Sequence, residues 1–305
     1  MIIQAEHKSP HQKNFIDQLA NWLTWSRFIF AFMLIVFLTS ILFPFYWMVS
    51  SSFKTNAEIG QREPVYVPGG LRLDAFRELM DPESPIGRFG KNILNSIRIA
   101  IPTSIIAVIL STLGAYAVAR LKFRGKNALL NGILIVYLFP GVLLIIPLFA
   151  MLAQIGGRLG FEVQDNLSIL VVTYLAQTLP VALYMLANYF RTIPREIEQA
   201  ALIDGCSRIE VIWRITLPLA IPALVSVAIY TFMIAWNEFL YAFIFLNSRD
   251  LFTMPIKINT IYNNPSPQPN VVMAASTIMT LPVMILFLAL ERFLAEGLVA
   301  GGVKG

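Results

Sequence analysis

Catalysis inside a protein needs a constellation of side chains: a nucleophile beside a base, two facing carboxylates, or clustered metal ligands. This 305-residue sequence offers none. Its only histidines, His7 and His11, precede the first apolar stretch, and Glu238 is the sole carboxylate within any apolar stretch. Cys206 is the single cysteine, so no internal disulfide can form. No catalytic dyad, metal set or phosphate-binding glycine loop is recognisable. A proton-driven carrier would show a relay of buried carboxylates or histidines, which is also missing. The chain is therefore expected to hold no catalytic residue, no metal and no cofactor of its own.

Two stretches could still act on a solute or a partner. In AWNEFLYAF, Glu238 either reaches headgroups and water or lies beside a solute site. In the second case Trp236, Asn237 and Tyr241 offer a stacking face and hydrogen bonds to a polar solute such as a sugar. Both readings stay open. The second stretch, residues 194–218, reads as an amphipathic helical hairpin. Pro194 fixes φ near a helix start, and Glu196 and Glu198 complement the dipole of the first turn. Gly205 closes that helix where a left-handed cap needs no Cβ. Ser207 and Glu210 then have the spacing of a capping box. Val211, Ile212 and Ile215 lead through Leu217-Pro218 directly into an apolar run, so the second helix is expected to continue rigidly into a membrane span. Small side chains at Ala200 and Ala201 let another surface come close. A helix lying on lipid is the alternative, but its basic residues are balanced by acids and form no lysine-rich face.

The elements that must carry these stretches follow from composition. The chain is 57% hydrophobic and only 13% charged, against about a quarter charged in soluble domains. Six windows reach the ~20 apolar residues that cross a bilayer: 28–49, 97–119, 129–152, 167–189, 217–236 and 271–290. The first is too long, and too far behind its polar lead, for a cleaved signal. Lys and Arg concentrate in the lead, in ARLKFRGK after the second window, and in the hairpin. The links after the third and fifth windows carry few, so both termini and the hairpin are expected in the cytoplasm. The net charge of +5 is thus a matter of topology. Basic residues split among separate loops make no nucleic-acid patch.

The fold class expected is all-α, a polytopic membrane protein with six transmembrane helices. Residues 1–27 form a cytoplasmic tail, 28–294 the membrane domain and 295–305 a second tail. An outer loop spans about 50–92 with one short helix at Asp74–Met80. Prolines at 140, 147, 180, 218, 222 and 282 fall inside the third to sixth windows, pointing to bent spans around a hydrated interior.

The hairpin resembles a known signature. Gln199-Ala200-Ala201, Asp204-Gly205, Ile215 and Leu217-Pro218 follow the EAA-loop pattern of binding-protein-dependent ABC importer permeases. FPFYWMVSSSFKTNAEI, GAYAVARLKFRGK, FPGVLLIIPLF, AWNEFLYAFIFL and EGLVAGGVKG look like the six-span, MalG-like carbohydrate permeases, so the likeness covers nearly the whole chain. The resemblance implies a bacterial inner-membrane (plasma-membrane) subunit that pairs with a second, non-identical permease. Two ATPase subunits would sit beneath, using ATP and Mg, and an extracytoplasmic solute-binding protein would deliver a sugar or polyol. It implies that the EAA loop, with Glu198, Gln199, Ala200, Ala201, Asp204, Gly205, Ile215, Leu217 and Pro218, docks on the ATPase. It further implies that the tail with Gly301, Gly302 and Lys304 reaches the ATPase pair, and that the outer loop 247–270 reaches the binding protein. The motif's usual Glu is Gln199 here, and the neighbouring Glu198 points roughly 100° away on a helix. An importer permease for glycerol phosphate or an amino acid is the closest alternative, and an intramembrane hydrolase a remote one.

Overall fold

The computed structural model describes residues 10–84, 86–138 and 140–302, with most side chains between Trp25 and Phe293. Among these, all regular structure is helical. In chain order the helices are α1 (Pro10–Ser52), α2 (Asn56–Ile59), α3 (Asp74–Met80), α4 (Phe89–Arg120), α5 (Lys126–Leu138), α6 (Gly141–Leu159) and α7 (Leu167–Thr192). There follow α8 (Arg195–Ile203), α9 (Arg208–Val211), a π-helical turn (Ile212–Thr216), α10 (Leu217–Leu219), α11 (Ile221–Asn237) and α12 (Leu240–Phe245). Last come α13 (Met254–Tyr262) and α14 (Pro269–Gly302).

Five of these helices contain stretches long and apolar enough to cross a bilayer, Trp25–Ser52 of α1, α4, α6, α7 and Pro269–Glu291 of α14, and the bent run from Arg208 to Asn237 makes a sixth. The short helix expected at Asp74–Met80 is present as α3. Two windows are corrected. The third, 129–152, is not one helix but α5 and α6, parted before Gly141, where Pro140 has an extended ψ of 112°. The fifth does not run straight out of the hairpin. Its axis turns by 75° at Ala220, so the expected rigid continuation becomes an elbow. Pro222 sits in the first turn of α11, just past the bend, where a missing N–H costs little. Pro147, Pro180 and Pro282 lie inside helices that continue through them.

The bundle is centred on α4, α7 and α11. Small residues line the contact of α4 with α7: Ala115 and Ala119 on one side, Ala182 and Ala187 on the other, all buried. A Cβ on Gly114 would come within 2.9 Å of Leu183 Cδ1. Close backbone approach of this kind replaces the hydrophobic drive that lipid removes. Polar contacts tie α4 to α11: Ser104 Oγ donates to the Ala228 carbonyl (2.9 Å), and Thr231 Oγ1 lies 3.1 Å from Ser104 Oγ. One apolar core gathers Phe89, Tyr174, Trp236, Phe245 and Met254 near the end of α4 where it begins. The other gathers Ala119, Leu186, Phe190 and Ala220 near its far end. Phe28 to Phe45 of α1 expose their apolar side chains, as a lipid-facing helix does.

Candidate functional site

The hairpin folds for local reasons. α8 begins after Pro194 and stops at Asp204, and Gly205 follows with φ +91°, a left-handed turn open to glycine. Ser207 accepts from the Glu210 amide, and the Glu210 carboxylate accepts from the Ser207 amide, which launches α9. Those hydrogen bonds, with Arg214 next, hold the Glu210 carboxyl below the usual range. The helix then widens into the π turn Ile212–Thr216. Pro218 explains the widening: it has no N–H to give, and its ring crowds the carbonyl four residues earlier.

The hairpin is moored to α4 by buried charge. Arg120 Nε donates to Glu198 Oε1 at 2.8 Å, with both side chains at or below 10% exposure. Thr216 Oγ1, fully buried, donates to the same oxygen at 3.1 Å. Arg120 also donates to the Ile193 carbonyl (3.0 Å), and Arg195 to the Ala119 carbonyl (3.0 Å). The last helical carbonyls of α4 lack partners of their own, so an arginine there satisfies both a hydrogen bond and the dipole. Glu198 thereby joins three pieces: the C-terminus of α4, the body of α8, and the π turn leading to the elbow.

The motif residues divide by side. Glu198 and Ala201 face inward, whereas Gln199, Ala200, Asp204 and Gly205 are exposed. Ile215 and Leu217 are half-buried. Beside the outward set stand Ile203, Ile209 and Trp213, at 85%, 68% and 69% exposure. These exposed side chains leave an apolar surface open on the face of the hairpin opposite its packed side. Arg120, Thr216 and Trp213 also belong to this region. In the sequence Arg120 is one basic residue of the link after the second window and Thr216 one polar residue before Leu217-Pro218, whereas Trp213, a large aromatic within a polar hairpin, is a signal visible in the sequence itself.

The second candidate region is rearranged. Trp236 is 1% exposed, stacks on Phe232 and donates from Nε1 to the Met279 carbonyl (3.0 Å), so it presents no stacking face to a solute in this conformation. Asn237 is exposed and bonds back to the Met233 carbonyl. Glu238 is half-buried. It accepts from Tyr174 Oη (2.6 Å) and from the amides of Tyr241 (2.8 Å) and Ala242 (3.1 Å), capping α12 from within the protein. Tyr241 alone of the trio lines a cavity.

That cavity, ≈ 660 Å³, opens at the break between α5 and α6. Tyr137, Thr173, Gln177, Tyr230 and Tyr241 supply its polar groups, and no charged residue lines it. Tyr241 Oη donates to the Gly141 carbonyl at 3.0 Å, fastening α12 to the resumed helix. The Gln177 amide faces Tyr241, but its Nε2 makes no well-formed hydrogen bond among the described residues. Unwound backbone at membrane depth is tolerated where it borders such a cavity. Gly301 and Gly302 are the last residues of α14, and Lys304 lies outside the described residues. Among the described residues no group of His, Cys, Asp and Glu could hold a metal ion.

Comparison with known proteins identifies the family and the fold. Residues 107–299 match the family described as "Binding-protein-dependent transport system inner membrane component". The inner membrane ABC transporter permease protein YcjP of Escherichia coli (strain K12) is 41% identical, over 93% of this chain and 99% of that protein. The trehalose/maltose transport system permease protein MalG of Thermococcus litoralis is 35% identical, over 87% of this chain and 92% of that one. In fold, the chain superposes with a TM-score of 0.70 on a bacterial ABC transporter involved in import of the acidic polysaccharide alginate, with 20% identity over 94% of this chain and 99% of the other.

Proposed function

The chain belongs to the binding-protein-dependent transport system inner membrane components, the permeases of ABC importers, and we propose that it passes a neutral sugar or sugar-like polyol by alternating access. It is a transport subunit and not an enzyme. In this reading ATP is hydrolysed, with Mg, by two separate ATPase subunits on the cytoplasmic side, where both termini also lie. A second, non-identical permease completes the pathway, and an external binding protein delivers the solute. Trehalose, maltose and diacetylchitobiose are named for relatives of this chain, which supports the sugar class.

The observation that carries the reading is the mooring of Glu198. An ATPase that grips the exposed face of α8 moves a body tied by buried charge to α4 and, through Thr216, to the elbow of α11. Motion of the ATPase pair thus reaches two spans at once. Gln199 lies on the gripped face, and the EAA pattern this hairpin resembles has Glu at that position, so a partner surface of that family accepts a carboxylate there. Gln199→Glu is accordingly expected to keep uptake within about twofold of wild type, a difference of ~0–1 kcal/mol. Initial uptake rates in proteoliposomes test this, and a loss of transport would show that the amide itself is required.

The solute is assigned to the cavity at the α5–α6 break. Its volume suits a disaccharide-sized ligand, within the ~300–1,000 Å³ of small-molecule sites. Its tyrosines and amide suit hydroxyl groups, and its lack of charge suits a neutral molecule. Gln177→Leu removes the amide at similar volume and is expected to cut uptake about tenfold, near the cost of one lost ligand hydrogen bond. Asn237→Ala, outside the cavity, leaves uptake as it was. The reverse ranking would return the solute site to AWNEF.

A further inference from the structure

α11 ends at Asn237 and the chain resumes as α12 only at Leu240, with Glu238 extended at ψ 130° between them. A helix that restarts in this way brings amide N–H groups with no intrahelical acceptor. Glu238 supplies acceptors for two of them, Oε1 for the Tyr241 amide (2.8 Å) and Oε2 for the Ala242 amide (3.1 Å). Oε2 also accepts from Tyr174 Oη at 2.6 Å, and Tyr174, on α7, is 1% exposed. Serine, threonine or asparagine, the common caps, would bring one side-chain oxygen. A carboxylate brings two and no donor, which is what three donors on two helices require.

Tyr241 lies in the turn that this carboxylate holds. It is buried, and its hydroxyl donates to the Gly141 carbonyl at 3.0 Å. The residue is thus pinned at both ends, by Glu238 at its amide and by the first residue of α6 at its hydroxyl. Tyr174, Glu238, Tyr241 and Gly141 make an unbroken series of hydrogen bonds from α7 to α6. Glu238 is not among the residues that line the ≈ 660 Å³ cavity, whereas Tyr241 is, with Gln177 of α7 facing it. With its proton committed to Gly141, the Tyr241 oxygen keeps lone-pair capacity for a donor arriving in the cavity. A sugar hydroxyl is such a donor.

We propose that Glu238 is a positioning residue for solute recognition: it touches no solute, but its carboxylate fixes where the Tyr241 hydroxyl stands in the cavity. The proposal rests on the assignment of the solute to that cavity. Groups that meet a ligand are effective when a further set of bonds holds them in place. For Tyr241 that set begins with Glu238, and Tyr174 holds Glu238 in turn.

The test has one arm without solute and one with it. meta-Fluorotyrosine is placed at Tyr241 in the whole transporter, in nanodiscs with its ATPase subunits, and its fluorine resonance is recorded. Glu238→Gln and Tyr174→Phe are each expected to shift or split that resonance, and a resonance unchanged in both would overturn the proposal. Tyr174→Phe, which keeps the cap of α12, decides this arm if Glu238→Gln fails to assemble. In the second arm, initial uptake of radiolabelled trehalose, maltose and diacetylchitobiose, sugars named for relatives of this chain, is measured in proteoliposomes with the cognate binding protein. Rates are taken per assembled transporter. Tyr241→Phe and Glu238→Gln are each expected to lower uptake about tenfold, near the loss of one ligand hydrogen bond. The double variant is expected to fall no further than about twofold below either, because residues that act as a unit are not additive. A double variant down about a hundredfold would make Glu238 a separate structural support and overturn the proposal, as would Glu238→Gln at the wild-type rate. Tyr241→Phe at the wild-type rate would instead sink the cavity reading, with a moved resonance still upholding Glu238 as the residue that positions Tyr241. Uptake of none of the three sugars by wild type would count against the sugar class and leave the fluorine arm to decide.

Discussion

Glu198→Ala is expected to abolish solute uptake, to about a hundredth of wild type or less, while the ATPase subunits still co-purify. The change leaves the Arg120 guanidinium buried without its carboxylate, and removing one partner of a buried pair costs about 3–5 kcal/mol. Thr216 loses its shorter acceptor in the same stroke and keeps the Val211 carbonyl at 3.4 Å. Among the described residues, the hydrogen bonds that then remain between α4 and the start of the hairpin are Arg195 to the Ala119 carbonyl and Arg120 to the Ile193 carbonyl, both to backbone. An ATPase pulling on α8 would move α8 alone. Glu198→Gln retains an oxygen for Arg120 and Thr216 without the charge, and should fall between wild type and Glu198→Ala. The decisive readout is the number of solute molecules moved per ATP hydrolysed. A fall in that ratio marks lost coupling, whereas a structural defect lowers assembly and leaves the ratio of the surviving complexes intact. Glu198→Ala with a wild-type ratio would remove the ion pair from the drive train.

Gly205→Asp is expected to reduce uptake at least as far, for a different reason. Gly205 has φ +91°, and nothing lies within 4 Å of where a Cβ would stand. A side chain there meets no clash, so the intrinsic penalty is torsional, about 1–2 kcal/mol. Aspartate tolerates left-handed backbone better than alanine, because its short polar side chain can bond locally. If conformation alone mattered, Gly205→Ala would be the worse variant. The opposite order is expected: roughly a third or more of uptake kept with alanine, and loss with aspartate, which sets a carboxylate into the surface that Ile203, Ile209 and Trp213 offer to a partner. Equal defects, measured as uptake at matched transporter density, would assign Gly205 to backbone shape only.

Much of this architecture could be read from the residues. Four of the six apolar windows, the α3 helix, the Gly205 cap and the Ser207–Glu210 capping box depend on local composition and spacing, and the structure has them at the expected residues. What escaped depended on contacts distant in the chain. Glu198 looked like one more charge in the first turn of α8, because nothing near it in sequence reveals Arg120, 78 positions away. Glu238 bonds locally to the start of α12, but its third partner, the Tyr174 hydroxyl, lies 64 positions away and leaves no trace in the neighbouring sequence. Trp236 looked available because hydropathy does not say which face of a span meets its neighbours. The elbow at Ala220 was hidden as well: apolar character continues through residues 217–236 although the helix axis does not. Periodicity records composition along a line, and these features arise where lines meet.

The most direct test asks whether the outer face of α8 touches an ATPase in living cells. Cys206 is half-buried beside the motif, so Cys206→Ser provides the background for single cysteines at Ala200→Cys and Ser207→Cys, both exposed positions. With a short homobifunctional thiol crosslinker and cysteines scanned over the ATPase surface, a covalent adduct of permease and ATPase is expected from both positions, and its yield should change when nucleotide is trapped. Cells that import the solute normally yet give no such adduct from either position would contradict the coupling role of this hairpin.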